Sequence, residues 1–266
     1  MQNSGKSGEW QMNQERRDQI VKLARENRVV KNRELMERFG ISIETVRRDL
    51  KYLEKQGLLE CVYGGAVLKE ASPSGWSFEA VAAMHSVQKE AIAREAAGIV
   101  NSGETIFLEE GSTVFAMTRY LKDIAPLTVI TSSLRIAMAM SDIPDCTVIL
   151  PGGRVMPGTL ELTGFQSDEN LSIFNIDKAF IGVNGITETH FTDYTAIDRR
   201  YIRRRVIENS DQAIVLADNS KFGVRATVNV ASINELDMVI TDDGTPECYV
   251  KKLEDAGVQV IVAKVG

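Results

Sequence analysis

From residue 87 to the end, stretches with helical spacing of apolar residues alternate with apolar runs too short to be helices, and this alternation restricts the fold more than any other feature. Helical spacing covers 87–99, 112–121, 134–140, 198–209 and 247–256, and the short runs are 105–108, 127–131, 147–150, 178–182, 212–217, 238–241 and 258–262. Strands joined through helical crossovers pair in parallel, and a strand that is apolar on both faces must be covered on both. The pattern predicts an α/β domain with a mainly parallel sheet between two helical layers, whose loops at the carboxyl ends of the strands are the natural place for a ligand.

The first third reads differently. Ile20, Leu23 and Ala24 mark a helix from Asn13 to about Asn27, Val29-Val30 suits a short strand, and Asn32 suits the N-cap of a second helix that carries Leu35, Met36 and Phe39 inward until Gly40. Ser42 caps a third helix with a buried stripe of Val46, Leu50 and Leu53. Beyond Gly57, two extended runs around Gly64-Gly65 read as a β-hairpin. The expected organisation is therefore a three-helix domain with a hairpin wing over 12–68, a linker over 69–86 with little periodicity, and the α/β domain over 87–266. Residues 1–11 are polar, with a second plausible start at Met12, and are expected to stand outside the fold.

Charge separates the two parts. Residues 1–69 hold 14 Lys and Arg against 10 Asp and Glu, a net of +4, while the remainder holds 17 against 27, a net of −10. That asymmetry fits a head that faces polyanionic DNA and an acidic body held away from phosphates. No apolar run is long enough to span a membrane and no signal-peptide core opens the chain, so no membrane partner and a cytoplasmic location are expected. Cys61, Cys146 and Cys248 are widely separated and are not spaced with His85 or His190 as metal ligands, so no disulfide framework, metal or cofactor is expected. Gly5-Lys6-Ser7 resembles the tail of a phosphate-binding loop but lacks the upstream strand and glycine, and is read as chance.

A recognition helix needs short or basic polar residues toward its N-terminus and an apolar rear face. The third helix supplies both: Ser42, Thr45, Arg47, Arg48 and Lys51 are the candidate DNA contacts, with the arginines able to engage guanine edges or phosphates. Taken alone, Arg47 and Arg48 could equally form a solvated face paired with Glu44 and Asp49. The order of helix, capped helix, basic capped helix and wing within ~55 residues favours DNA.

In the body, Gly111-Ser112-Thr113 lies between a predicted strand and helix, where hydroxyls and unpaired N–H groups suit a phosphate. An isolated G-S-T would be an ordinary turn. Thr131-Ser132, Gly152-Gly153 and Asn184-Gly185 follow later strands in the same way, so four loops can line one crevice.

The stretch Leu35-Met36-Glu37-Arg38-Phe39-Gly40-Ile41-Ser42, Thr45-Val46-Arg47-Arg48-Asp49-Leu50, Gly57-Leu58-Leu59 and Gly64-Gly65-Ala66 resembles the DeoR family of bacterial transcription regulators. The resemblance extends to Leu108-Glu109-Glu110-Gly111-Ser112-Thr113, Thr131-Ser132-Ser133-Leu134, Gly152-Gly153 and Asp218-Asn219-Ser220-Lys221-Phe222-Gly223, which look like that family's sensor domain. It implies a fold related to ribose-5-phosphate isomerase and a phosphorylated sugar or sugar alcohol as effector. Gly111, Ser112 and Thr113 would hold the phosphate, Thr131 and Ser132 would support it, Gly152-Gly153 would let backbone approach the sugar, and Lys221 would offer a cation at the rim. The sequence departs from the family in carrying Cys61 and Tyr63 in the wing, and Arg199 and Arg203 where an acidic residue and a Lys are common. The cluster from Arg199 to Arg205 could serve a more anionic ligand or a surface or subunit contact.

The resemblance implies a homo-oligomeric repressor of carbohydrate catabolic genes that binds double-stranded operator DNA and responds to its effector. An activator of the same architecture is one alternative. Another is a sugar-phosphate isomerase, which needs a carboxylate base. The isomerase loop D-G-A-D is here Asn184-Gly185-Ile186-Thr187, and Ile202 replaces the acidic residue of the next helix, although Glu109, Glu110 and Asp193 remain as possible bases. Pocket without base points to a sensor and not an enzyme.

Overall fold

The computed structural model describes residues 4–27, 29–62, 64–68, 78–194 and 197–265, and the chain divides into two units, Met1–His85 and Ser86–Gly266. Tyr63 of the wing, residues 69–77 of the expected linker, residues 1–3 of the expected leader and the side chain of Arg199 lie outside the described residues.

The first unit runs α1 (Ser4–Asn27), β1 (Val29–Lys31), α2 (Asn32–Phe39), α3 (Ile43–Lys55), β2 (Leu59–Val62), β3 (Gly65–Leu68) and α4 (Phe78–Ala83). The apolar stripes close on one another: Ile20, Val21 and Ala24 of α1, Leu35 of α2, and Val46, Leu50 and Leu53 of α3 share a core with Leu58 and Leu59. Burying each Leu or Ile contributes about 1.5–3 kcal/mol. The hairpin pairs in antiparallel register with Cys61 opposite Ala66, and β1 adds a third strand with Val30 opposite the same alanine. The order helix, helix, basic helix, wing is thus realised.

Three local expectations are corrected. α1 begins at Ser4, so the first helix starts before the expected Asn13 and residues 4–11 are helical. Asn32 does not cap α2: Lys31 occupies the cap position, and the Asn32 N–H donates to the carbonyl of Gly64 at 2.9 Å, tying the helix start to the wing. Within the expected linker, 78–83 form α4 and Met84 is buried in the core of the first unit. Gln14 donates to the Ala83 carbonyl at 2.8 Å, so α4 leads into a segment fastened to α1. Six helical residues are too few for a periodic signal to rise from composition.

The second unit contains α5 (Ser86–Gly98), β4 (Thr105–Leu108), α6 (Ser112–Met117), β5 (Leu127–Thr131), α7 (Leu134–Ser141), β6 (Cys146–Ile149), β7 (Arg154–Val155), β8 (Leu162–Thr163) and α8 (Phe165–Leu171). It continues with β9 (Ile176–Gly182), β10 (Gly185–Ile186), β11 (His190–Asp193), α9 (Ile197–Glu208), β12 (Ser210–Leu216), β13 (Val228–Ser232), β14 (Met238–Asp242), α10 (Glu247–Asp255) and β15 (Gln259–Ala263). Seven strands form one parallel sheet in the order β15-β14-β12-β9-β4-β5-β6, with a small antiparallel sheet β10-β11-β13 and the pair β7-β8 beside it. Alternation along the strands feeds two cores. Ile106 and Leu108 join α5, α6 and α7 through Ile92, Val114, Met117 and Ile136, while Phe107 joins α8, α9 and α10 through Leu171, Ile202, Val206 and Leu253. This is the covered, mainly parallel α/β sheet expected from the sequence.

The strand order places the crevice. The chain starts at β4, moves outward through β5 to β6, then returns to β9 on the other side and moves outward to β15. The reversal lies between β4 and β9, and in open parallel sheets the gap beyond the carboxyl ends at such a reversal is where ligands settle.

Candidate functional site

In the head, α3 presents its basic face to solvent. Ser42 caps the helix by accepting from the Thr45 N–H at 3.3 Å, and the two hydroxyls lie 3.1 Å apart, so both side chains are engaged in starting the helix. Arg47, Arg48 and Lys51 are exposed. The alternative in which Asp49 neutralises the arginines does not hold: Asp49 is 1% exposed and points inward. Its carboxylate accepts from Arg16 Nε at 2.6 Å and Arg17 Nε at 2.8 Å, and Arg17 also stacks over the Tyr52 ring at 3.9 Å. Among the described residues, neither Arg47 nor Arg48 has an ion-pair partner. Asp49 therefore pins α1 to α3 and leaves two guanidinium groups available on the outer face.

In the body, the sequence-predicted residues stand at strand carboxyl ends. Gly111, Ser112 and Thr113 follow β4, Thr131 and Ser132 end and follow β5, Gly152 and Gly153 follow β6, Asn184 and Gly185 follow β9, and Lys221 follows β12 in a turn that Asp218 caps. Gly111 occupies the cap position of α6, which ends at Met117 instead of continuing to 121. Thr131 Oγ1 donates to the Leu108 carbonyl at 2.6 Å and accepts from the Ser133 N–H at 3.0 Å, so its hydroxyl stitches β5 to β4. Ser132 is fully buried, and its Oγ has no hydrogen-bond partner among the described residues. An orphaned buried hydroxyl costs roughly 1–3 kcal/mol and calls for an explanation.

Two of the glycines have a packing reason. Gly153 has φ +114°, and a Cβ there would stand 2.2 Å from Ser167 Oγ and 2.7 Å from the Thr163 carbonyl oxygen. A Cβ on Gly185 would stand 2.2 Å from the Val224 carbonyl oxygen. Gly153→Ala is expected to destabilise the body by about 1–3 kcal/mol through overpacking and strain. Thermal unfolding measures this, and an unshifted transition would show that the loop relaxes freely.

The feature that sequence reasoning missed lies under the crevice. Arg203 of α9 is buried and donates through Nε to Glu109, just beyond β4, and through Nη1 to Asp193, at the end of β11. Glu109 also accepts from the Gly182 N–H at 2.9 Å, and Asp193 accepts from Asn184 Nδ2 at 2.7 Å. One guanidinium thus ties α9 to the loops on both sides of the strand reversal. Burial works against the charge on Arg203, but the two carboxylates outweigh it and hold its pKa above the ordinary arginine value. The remaining described arginines of the cluster are also occupied: Arg204 pairs with Glu235 at 3.0 Å, and Arg205 lies 3.4 Å from Asp168. The signal available in the sequence was the presence of Glu109, Asp193 and Arg203 in apolar surroundings, because a buried charge must find a partner.

Among the described residues, no group of His, Cys, Asp and Glu could hold a metal ion, and no helix is long and apolar enough to cross a membrane.

Comparison with known proteins agrees with both halves. Residues 16–72 match the DeoR-like helix-turn-helix domain, and residues 84–243 match the DeoR C terminal sensor domain. The chain is 33% identical to the HTH-type transcriptional regulator GolR of Listeria innocua, over 94% of this chain and 98% of that one. It is 31% identical to the glycerol-3-phosphate regulon repressor of Escherichia coli K12, over 92% and 97% of the two chains. Ribose 5-phosphate isomerase A of Methanocaldococcus jannaschii superposes on 52% of this chain and 54% of its own, with 20% identity and a TM-score of 0.38. With the helix-turn-helix and the sensor domain matched in that order, and relatives aligned along nearly the whole length, the chain belongs to the DeoR family of transcription regulators.

Proposed function

We propose that the protein is a cytoplasmic repressor that binds operator DNA as a homo-oligomer through Ser42, Thr45, Arg47, Arg48 and Lys51, and is released by a phosphorylated sugar or sugar alcohol in the crevice. The observation that carries the reading is the convergence of the Gly111–Thr113, Thr131-Ser132 and Asn184-Gly185 loops at the strand reversal, with Gly152-Gly153 and Lys221 at neighbouring strand ends. In this reading, Ser112, Thr113 and the first N–H groups of α6 meet the phosphate, and the buried Thr131 and Ser132 support that loop from behind. Lys221, whose ammonium has no partner among the described residues, supplies charge at the rim. The likeness to a glycerol-3-phosphate regulon repressor supports an effector of this class.

The same geometry argues against an enzyme. Proton abstraction beside a carbonyl needs a carboxylate free to accept a proton. Glu109 and Asp193, two of the three candidate bases, are both committed to the Arg203 guanidinium. Pentose-phosphate turnover that Glu109→Gln abolishes would overturn this part of the reading.

The direct test is a gel shift of the full-length protein on the DNA flanking its own gene, titrated with glycerol 3-phosphate and a panel of hexose and pentose phosphates. At least one is expected to weaken DNA binding by about 5–150-fold, the range of ordinary allosteric coupling. A ligand can shift the equilibrium only by its differential affinity for the two states. A sugar phosphate that binds in calorimetry yet leaves DNA affinity unchanged would count against effector control, and a reporter that falls silent without the protein would replace repression by activation.

A further inference from the structure

The small antiparallel sheet carries a cavity of about 340 Å3 lined by Thr187, Thr189, His190, Arg225 and Asn229. None of these is among the predicted effector-binding residues, although Thr187 ends the loop that begins at Asn184, and the chemistry of the lining is one-sided. It consists of a guanidinium, an imidazole, an amide and two hydroxyls, with no carboxylate, in a domain otherwise rich in acids. Such a lining is rich in donors and carries one permanent positive charge, which is the complement of a small oxyanion.

The fold fastens the backbone on both walls, while the side chains of Thr189, Arg225 and Asn229 are exposed along the rim of the cavity. Thr192 of β11 donates its hydroxyl to the Val224 carbonyl at 3.3 Å and accepts from the Ala226 N–H at 3.0 Å, so the residues on either side of Arg225 are both fastened to β11. On the opposite wall, Thr187 Oγ1 closes the turn before β11: it donates to the His190 carbonyl at 3.0 Å and accepts from the His190 N–H at 2.9 Å. His190 Nδ1 lies 2.9 Å from Thr189 Oγ1. When that hydroxyl donates to Nδ1, the ring proton sits on Nε2, which is left to donate to a ligand. Glu188, the acidic residue of the same turn, pairs with Lys252. Among the described residues, the side chain of Arg225 has no hydrogen-bond or ion-pair partner.

We propose that this cavity is a second anion site that takes a phosphate group, free or carried by a small metabolite. Arg225 supplies the charge, and His190 Nε2 and the Asn229 amide supply the further donors. The proposal does not depend on the sugar-phosphate reading of the crevice.

The chain has two histidines, which makes the test site-specific. In the full-length protein labelled with 13C-histidine, the ring resonance that persists in His85→Gln is that of His190. Inorganic phosphate is added at constant pH, with chloride lowered to hold ionic strength. The His190 resonance is expected to move saturably while that of His85 does not. Arg225→Gln is expected to weaken the titration roughly tenfold or more, the effect of losing a charge-assisted hydrogen bond. Ser112→Ala in the crevice is expected to leave the His190 curve in place. A parallel titration with glycerol 3-phosphate distinguishes the sources, since tighter binding of the monoester assigns the site to a metabolite and equal binding to the phosphate group alone. A His190 resonance that does not move with either compound, or that moves identically in Arg225→Gln, overturns the proposal. A curve abolished by Ser112→Ala would return the signal to the crevice and overturn it too.

Discussion

Arg47→Ala/Arg48→Ala protein is expected to bind its promoter DNA about 100-fold more weakly or worse at moderate salt, because each lost contact removes about 1–3 kcal/mol. Folding should be untouched, since both side chains are exposed and the inward carboxylate beside them, Asp49, is held by Arg16 and Arg17 instead. The single variants separate the roles. Loss of a phosphate contact lowers affinity for every sequence and reduces the salt slope by about one, whereas loss of a base contact relaxes discrimination at one position. Footprinting at two salt concentrations reads both effects. If the double variant protects the promoter as the parent does, the outer face of α3 is not the DNA surface, whatever its charge.

The second large effect is expected at Arg203. In Arg203→Met, Glu109 and Asp193 are left as buried carboxylates without their shared guanidinium, and breaking a buried pair from one side costs about 3–5 kcal/mol. For a body of this size that lowers the melting temperature on the order of 10 °C. Arg203→Lys keeps the charge but not the planar fork that reaches both acceptors, so it should fall between parent and methionine variant. Neutralising all three groups together, as Glu109→Gln/Asp193→Asn/Arg203→Met, should restore much of the loss because no uncompensated charge remains. Equal melting of the parent and Arg203→Met would mean that the triad contributes nothing to holding the crevice loops. The triad binds the β4 and β9 loops to each other, so effector affinity should fall with stability in this series, whereas Ser112→Ala should lower affinity alone.

The parts of the fold that could be read from residues are those where burial imposes a period. The strands β4 and β5 lie where the apolar runs place them, and the other strands of the parallel sheet differ by one to three residues at their ends. The helices of the head follow Leu35, Val46, Leu50 and Leu53 for the same reason. Two-residue strands such as β7, β8 and β10, and the six-residue α4, were not legible because so few residues cannot establish a repeat. Their conformation comes from what they pack against.

Local residue chemistry determined where polar groups would stand, at the ends of strands and on the outer face of one helix, because caps, turns and alternation are decided within a few residues. Only the tertiary structure decided which charges meet. Arg203 reaches Glu109 across 94 positions and Arg16 reaches Asp49 across 33. No periodicity encodes such distances, and it is the exclusion of water from the assembled core that makes each of those charges seek its partner.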